Sequence, residues 1–177
     1  MIEPAVLASL FNEHADRLLL VARSMGEPAE DAVQEAFVAL ATQAIVPAEP
    51  MAWLVAVVRN HLRQSYRSNG RRQQREFRLP VMNWFQSTPQ IDTKIDGQTV
   101  SAALQRCPSP DREIVVMHLW GEMTFQSIGE IVGMSRAKAH RVFQKQIGQL
   151  QEQFNPVSVE QIDTQVSAVR NFPASND

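Results

Sequence analysis

Cysteine is almost missing from this chain of 177 residues: Cys107 stands alone, which excludes an internal disulfide and a cysteine-rich metal site. Long apolar runs are missing too. Nothing approaches the roughly 18 uninterrupted apolar residues that a membrane helix requires. No run of signal length follows Met-Ile-Glu-Pro. The expectation is a protein of a reducing compartment, most simply the cytoplasm, without membrane insertion. There is no HExxH and no P-loop, and His14, His61, His118 and His140 are scattered, each at home on a helix face. No catalytic residue, cofactor site or metal site is expected. Strand-type alternation and internal repeats are also lacking, whereas a hydrophobic content of 44% suffices for a core.

The formal net charge is only −2, from 17 basic and 19 acidic side chains. Taken as a total, it argues against nucleic acid, but the charges are segregated. Residues 1–58 hold 2 basic and 8 acidic groups, and residues 59–78 hold seven arginines against Glu76. A second basic block, Arg136, Lys138, Arg141 and Lys145, has no acid within residues 135–150. Two basic blocks in an acidic background call for a separate partner for each.

Apolar spacing is helical nearly everywhere, so the expected fold is all-α. Leu7, Phe11, His14, Leu18, Val21 and Met25 mark the inner face of a first helix, ended by Gly26-Glu27-Pro28. Pro28 suits the first turn of the next helix. Val33, Ala36, Phe37, Leu40 and Ala44 mark that second helix, and Leu54, Val57, Val58, His61 and Leu62 a third, beginning near Met51. The pattern dissolves from Pro80 to Gly97, which reads as a linker of about 18 residues reaching on the order of 60 Å when extended. A second unit follows, with a helix around Val100–Arg106, one capped by Asp111, and two more over Phe125–Val132 and Ser135–Phe154. The expected division is a first domain over 1–79, a linker over 80–98, a second domain over 99–155 and a polar tail over 156–177. Val159, Ile162, Val166 and Val169 leave room for a short amphipathic helix in that tail.

The most specific stretch is Phe125 to Ser135. Ile128, Ile131 and Val132 back a short helix, Gly129 permits close approach, Gly133 permits the sharp turn, and Ser135 is a good N-cap. On the next helix Ala139, Val142, Phe143, Ile147 and Leu150 point inward. Arg136, Lys138, His140, Arg141, Gln144, Lys145 and Gly148 are left outside. A helix that is apolar behind and basic with amides in front suits a major groove: arginine reads guanine, glutamine reads adenine, lysine neutralises phosphate.

Two further constellations are weaker alone. Trp53, Ala56, Asn60, Arg63 and Arg67 share one side of the third helix, and Arg59, Gln64, Tyr66, Arg71, Arg72, Arg75 and Arg78 extend its basic surface. Such a strip can grip phosphates and stack on unpaired bases; a core tryptophan with arginines on a solvated helix end is the plainer reading. Asp31, Gln34, Glu35 and Val38 share the outer face of the second helix, where acids also suit the helix dipole.

Taken in order, these pieces resemble the extracytoplasmic-function (ECF) sigma factors of the sigma-70 family. The resemblance is carried by Leu10-Phe11-Asn12-Glu13-His14 with Arg17-Leu18-Leu19, then Asp31-Ala32-Val33-Gln34-Glu35-Ala36-Phe37, then Trp53-Leu54 with Arg59-Asn60. It continues through Arg112-Glu113, Thr124-Phe125, Ile128, Glu130-Ile131 and Gly133-Met134-Ser135. It implies a region-two helical bundle and a region-four helix-turn-helix. It also implies docking of Asp31, Gln34, Glu35 and Val38 on the β′ clamp helices of core RNA polymerase, with the β flap as a second contact.

Promoter DNA is the other implied partner. Trp53, Arg59, Asn60, Arg63 and Arg67, with the loop Ala44–Met51, would serve the −10 element, where capture of an extruded base offsets unstacking. Arg136, Lys138, His140, Arg141, Gln144 and Lys145 would serve the −35 element. A cognate anti-sigma protein is an optional further partner. After its N-cap the chain has Ala137-Lys138-Ala139-His140-Arg141-Val142 where the family often has Gly-Thr-Val-Lys-Ser-Arg, so its −35 sequence is its own. The alternative is a helix-turn-helix regulator without sigma activity, which has no need of residues 31–72.

Overall fold

The computed structural model describes residues 1–68 and 97–154, and every regular element among them is an α-helix, as the three-and-four spacing predicts. The N-terminal group is α1 (Pro4–Met25), α2 (Ala29–Ala41) and α3 (Pro50–Ser68). The C-terminal group is α4 (Gly97–Arg106), α5 (Asp111–Leu119), α6 (Phe125–Val132) and α7 (Arg136–Phe154). Residues 97 and 98, expected in the linker, are helical. The rest of the expected linker (80–96), the tail 156–177 and Arg71, Arg72, Arg75 and Arg78 lie outside the described residues.

Helices α1, α2 and α3 pack pairwise around Leu18, Val21, Ala36, Leu40, Leu54, Val58 and Leu62, all sealed from solvent. A leucine buried this completely contributes about 1.5–3 kcal/mol of transfer free energy. Two positions expected inside are not. Phe11 is 50% exposed and rests on Phe37 with ring centroids 4.9 Å apart. Ala44 is exposed because α2 stops at Ala41, three residues short of it. Ile2 closes that end instead: it is buried, and its N–H donates to the Ala41 carbonyl at 3.2 Å.

The last turns of α1 are buried on several sides, with Leu20, Ala22 and Ser24 inside as well as the expected stripe. The cause is a second neighbour, α5, which lies against α1 while α6 lies against α3. The two helix groups are therefore in contact.

Local chemistry sets the boundaries. Gly26 ends α1 with φ +143°, and a Cβ there would stand 1.6 Å from the Tyr66 hydroxyl, so only glycine fits. Pro28 occupies the N-cap position of α2 rather than its first turn, and the Glu27 carboxylate accepts from the Ala29 N–H at 2.8 Å. Asp111 is the first residue of α5, not its cap; its Oδ2 accepts from Nε2 of buried Gln146 at 2.9 Å and so ties α5 to α7.

Candidate polymerase and nucleic-acid interface

The helix-turn-helix is built as its sequence signals indicate. The Thr124 side chain accepts from the Ser127 N–H and caps α6. Gly133 adopts the left-handed conformation, φ 76° and ψ 39°. The chain turns back at once: the Met134 N–H donates to the Gly129 carbonyl at 2.8 Å. A Cβ on Gly129 would lie 2.7 Å from the Met134 carbonyl oxygen, so residue 129 must be glycine for this turn to form. The Ser135 hydroxyl then accepts from the Lys138 N–H at 3.2 Å, the expected N-cap.

An aromatic cluster holds α5, α6 and α7 in register. The His118 Nδ1–H donates to the Met123 carbonyl at 2.9 Å, which fixes the ring. That ring stacks on Phe125 (centroids 4.1 Å) and meets the edge of Phe143 (4.7 Å). With Ala139 and Phe143 buried behind, Arg136, Lys138, His140, Arg141, Gln144 and Lys145 all stand exposed on α7. His140 also packs edge-on against Phe125. Gly148, expected outside, is half-buried.

The strip on α3 is divided. Asn60, Arg63 and Arg67 are exposed, and Trp53 is half-buried against the core. Arg59 does not belong to the exposed surface. Its Nε donates to Glu113 Oε2 and its Nη1 to the Ile131 carbonyl, each at 2.9 Å, and it is only 9% exposed. Tyr66 keeps its hydroxyl against the end of α1, and burial pushes its phenol up from the ordinary value of 10.0.

Asp31, Gln34, Glu35 and Val38 are all exposed on one face of α2, with Val38 at 62%. Glu30, on the same helix, is paired with Arg23 at 2.7 Å, and that bond holds its carboxyl below the ordinary value. Asp31 and Glu35 make no ion pair among the described residues, so the acidic character of this face is theirs.

Sequence reasoning missed how the two helix groups are tied. Glu113 is buried, accepting from Arg59 on one oxygen and from the Ser109 hydroxyl on the other. Arg112 is buried beside it and donates from Nε to the Ser24 carbonyl at 2.7 Å; burial lowers its pKa. The available signal was two charges leading directly into Ile114-Val115-Val116-Met117 on a helix buried all round, since charges placed there need partners. Among the described residues there is no cluster able to hold a metal, and no helix is long and apolar enough to cross a membrane.

Among the described residues the chain is all-helical, with one acidic face on α2 and exposed basic residues on α3 and α7. Residues 10–72, spanning most of α1 and all of α2 and α3, match the family model of sigma-70 region 2. The match covers about a third of the chain and supports a sigma-70 family sigma factor with a role in transcription initiation. Comparison with curated proteins gives no significant match, and neither does comparison with solved structures.

Proposed function

We propose that this chain is an ECF-type sigma factor that works in the cytoplasm with two promoter-reading units, region two over 1–79 and region four over 99–155. The observation that carries the reading is the region-2 match, because it encloses both the exposed Asp31–Gln34–Glu35–Val38 face and the Asn60–Arg63–Arg67 strip. The α2 face docks on the β′ clamp helices of core polymerase. The α3 strip, with the Trp53 side and the loop before α3, takes the non-template strand of the −10 element. The α7 face, Arg136, Lys138, His140, Arg141, Gln144 and Lys145, reads the −35 element in the major groove, with region four held near the β flap. A helix-turn-helix regulator acting alone is disfavoured by the same match.

Reconstitution with bacterial core polymerase on a library of promoter fragments tests this reading. The expected result is a stable complex with core and a new set of start sites. A chain that neither binds core nor creates start sites contradicts it. Within that assay, Asp31→Ala combined with Glu35→Ala weakens core binding and leaves upstream sequence preference unchanged.

A further inference from the structure

A cavity of about 350 Å³ lies where the end of α1, the second half of α3 and the loop from α4 into α5 meet. Its size falls at the lower end of the roughly 300–1,000 Å³ usual for small-molecule sites. Met25, Leu62, Pro110 and Val132 give it apolar walls.

The charged groups around that space do not balance. Arg59, Arg63 and Glu113 all line it, so two guanidiniums stand against one carboxylate. Both oxygens of Glu113 are already engaged, one by Arg59 and the other by the Ser109 hydroxyl. Arg59 uses Nε on that carboxylate and Nη1 on the Ile131 carbonyl. Its Nη2 has no hydrogen-bond partner among the described residues, although the residue is only 9% exposed. Arg63, one helical turn further along α3, is exposed and makes no ion pair among the described residues.

We propose that this cavity is a binding site for a small organic anion. The carboxylate or phosphoryl group of the ligand accepts from Arg59 Nη2 and from the Arg63 guanidinium, and its apolar body lies against Leu62 and Val132. The planar fork of a guanidinium matches the oxygens of either head group. A bond between charged partners is stronger in a partly desolvated cavity than on an open surface. An uncharged molecule of the same shape leaves those donors unmet, and a bare inorganic anion leaves the apolar walls wet. A cation meets a net positive rim. The site goes beyond the promoter reading and does not depend on it. Because Arg63 also belongs to the α3 strip, ligand binding is measured without DNA.

The test records carbon-13 methyl spectra of the full chain, with the signals of Met25, Leu62 and Val132 assigned. The probes are 3-phenylpropionate and phenyl phosphate, with 3-phenylpropionamide and inorganic phosphate as controls. Both organic anions shift the three signals saturably at millimolar concentration, and the tighter of the two identifies the preferred head group. The amide binds about tenfold more weakly, since it lacks the charge. Arg63→Gln, a change at an exposed position, weakens both anions by a similar factor and leaves the amide as it was. If neither anion shifts these signals, or shifts only signals remote from the cavity, the site is overturned. It is equally overturned if the amide binds as tightly as the acid, or if inorganic phosphate binds as tightly as phenyl phosphate.

Discussion

The α3 strip and the α7 face share a composition of arginines and amides on a helix with an apolar back, but the fold treats them differently. On α7 the six positions Arg136, Lys138, His140, Arg141, Gln144 and Lys145 all stand in solvent, with the helix-turn-helix behind them. On α3 one arginine is paired and buried, one tyrosine is packed against Gly26, and the preceding loop is tied to α6. Equal sequence charge thus gives unequal availability. A basic helix face is ready for a partner only when no carboxylate of the same chain has reached it first.

The largest expected effect comes from breaking the guarded side. Glu113→Ala leaves Arg59 buried without its counter-charge, which costs about 3–5 kcal/mol while the two groups stay closed. Denaturant unfolding of the variant then shows that loss, or a first transition separated from the second if the groups part before they unfold.

Gly129→Ala attacks the open side through its scaffold. The added methyl meets the Met134 carbonyl, and overpacking of this kind costs about 1–3 kcal/mol. Thermal melting measures it, and duplex binding falls with it because α7 is displaced.

Side-chain truncations sharpen the comparison further. Arg141→Ala costs about 1–3 kcal/mol in duplex affinity, with relaxed sequence preference if the residue reads a base. Arg63→Ala weakens binding to single-stranded DNA uniformly across sequences and flattens its salt dependence, read as the slope of log affinity against log salt concentration.

The smallest effect is a pH dependence in α1. His14 is buried, its Nδ1 has no hydrogen-bond partner among the described residues, and burial lowers its pKa from 6.5 despite the opposing pull of Glu13. The unfolded chain therefore binds the proton more readily. The stability contributed by neutral His14 is complete above pH 6.5 and is lost as pH falls from there through the folded value. His14→Phe removes that dependence, as urea titrations on either side of pH 6.5 will show.

Much of this was legible locally. The turn at Gly133, the cap at Ser135 and the outer face of α2 depend on residues within a few positions of one another, and there spacing alone is informative. What escaped depends on distant neighbours. Phe11 has the right spacing for the core, but α2 shields only one side of it. Ala44 continues the periodicity of α2 beyond the point where the helix ends. Arg59 belongs to the basic block by sequence, but its partner lies 54 residues away on α5, and no local pattern announces that pairing. The near-neutral total charge hides the same fact, since some of the opposite charges it sums are matched inside one molecule.

The measurement that bears most directly on the account is start-site mapping with bacterial core polymerase and the full chain on a randomised promoter library, the parent run beside Arg141→Ala. The parent is expected to select promoters with two sequence blocks, and Arg141→Ala to keep the downstream block while losing preference in the upstream one. Start sites that are absent with the parent, or an upstream block unchanged by the substitution, would contradict it.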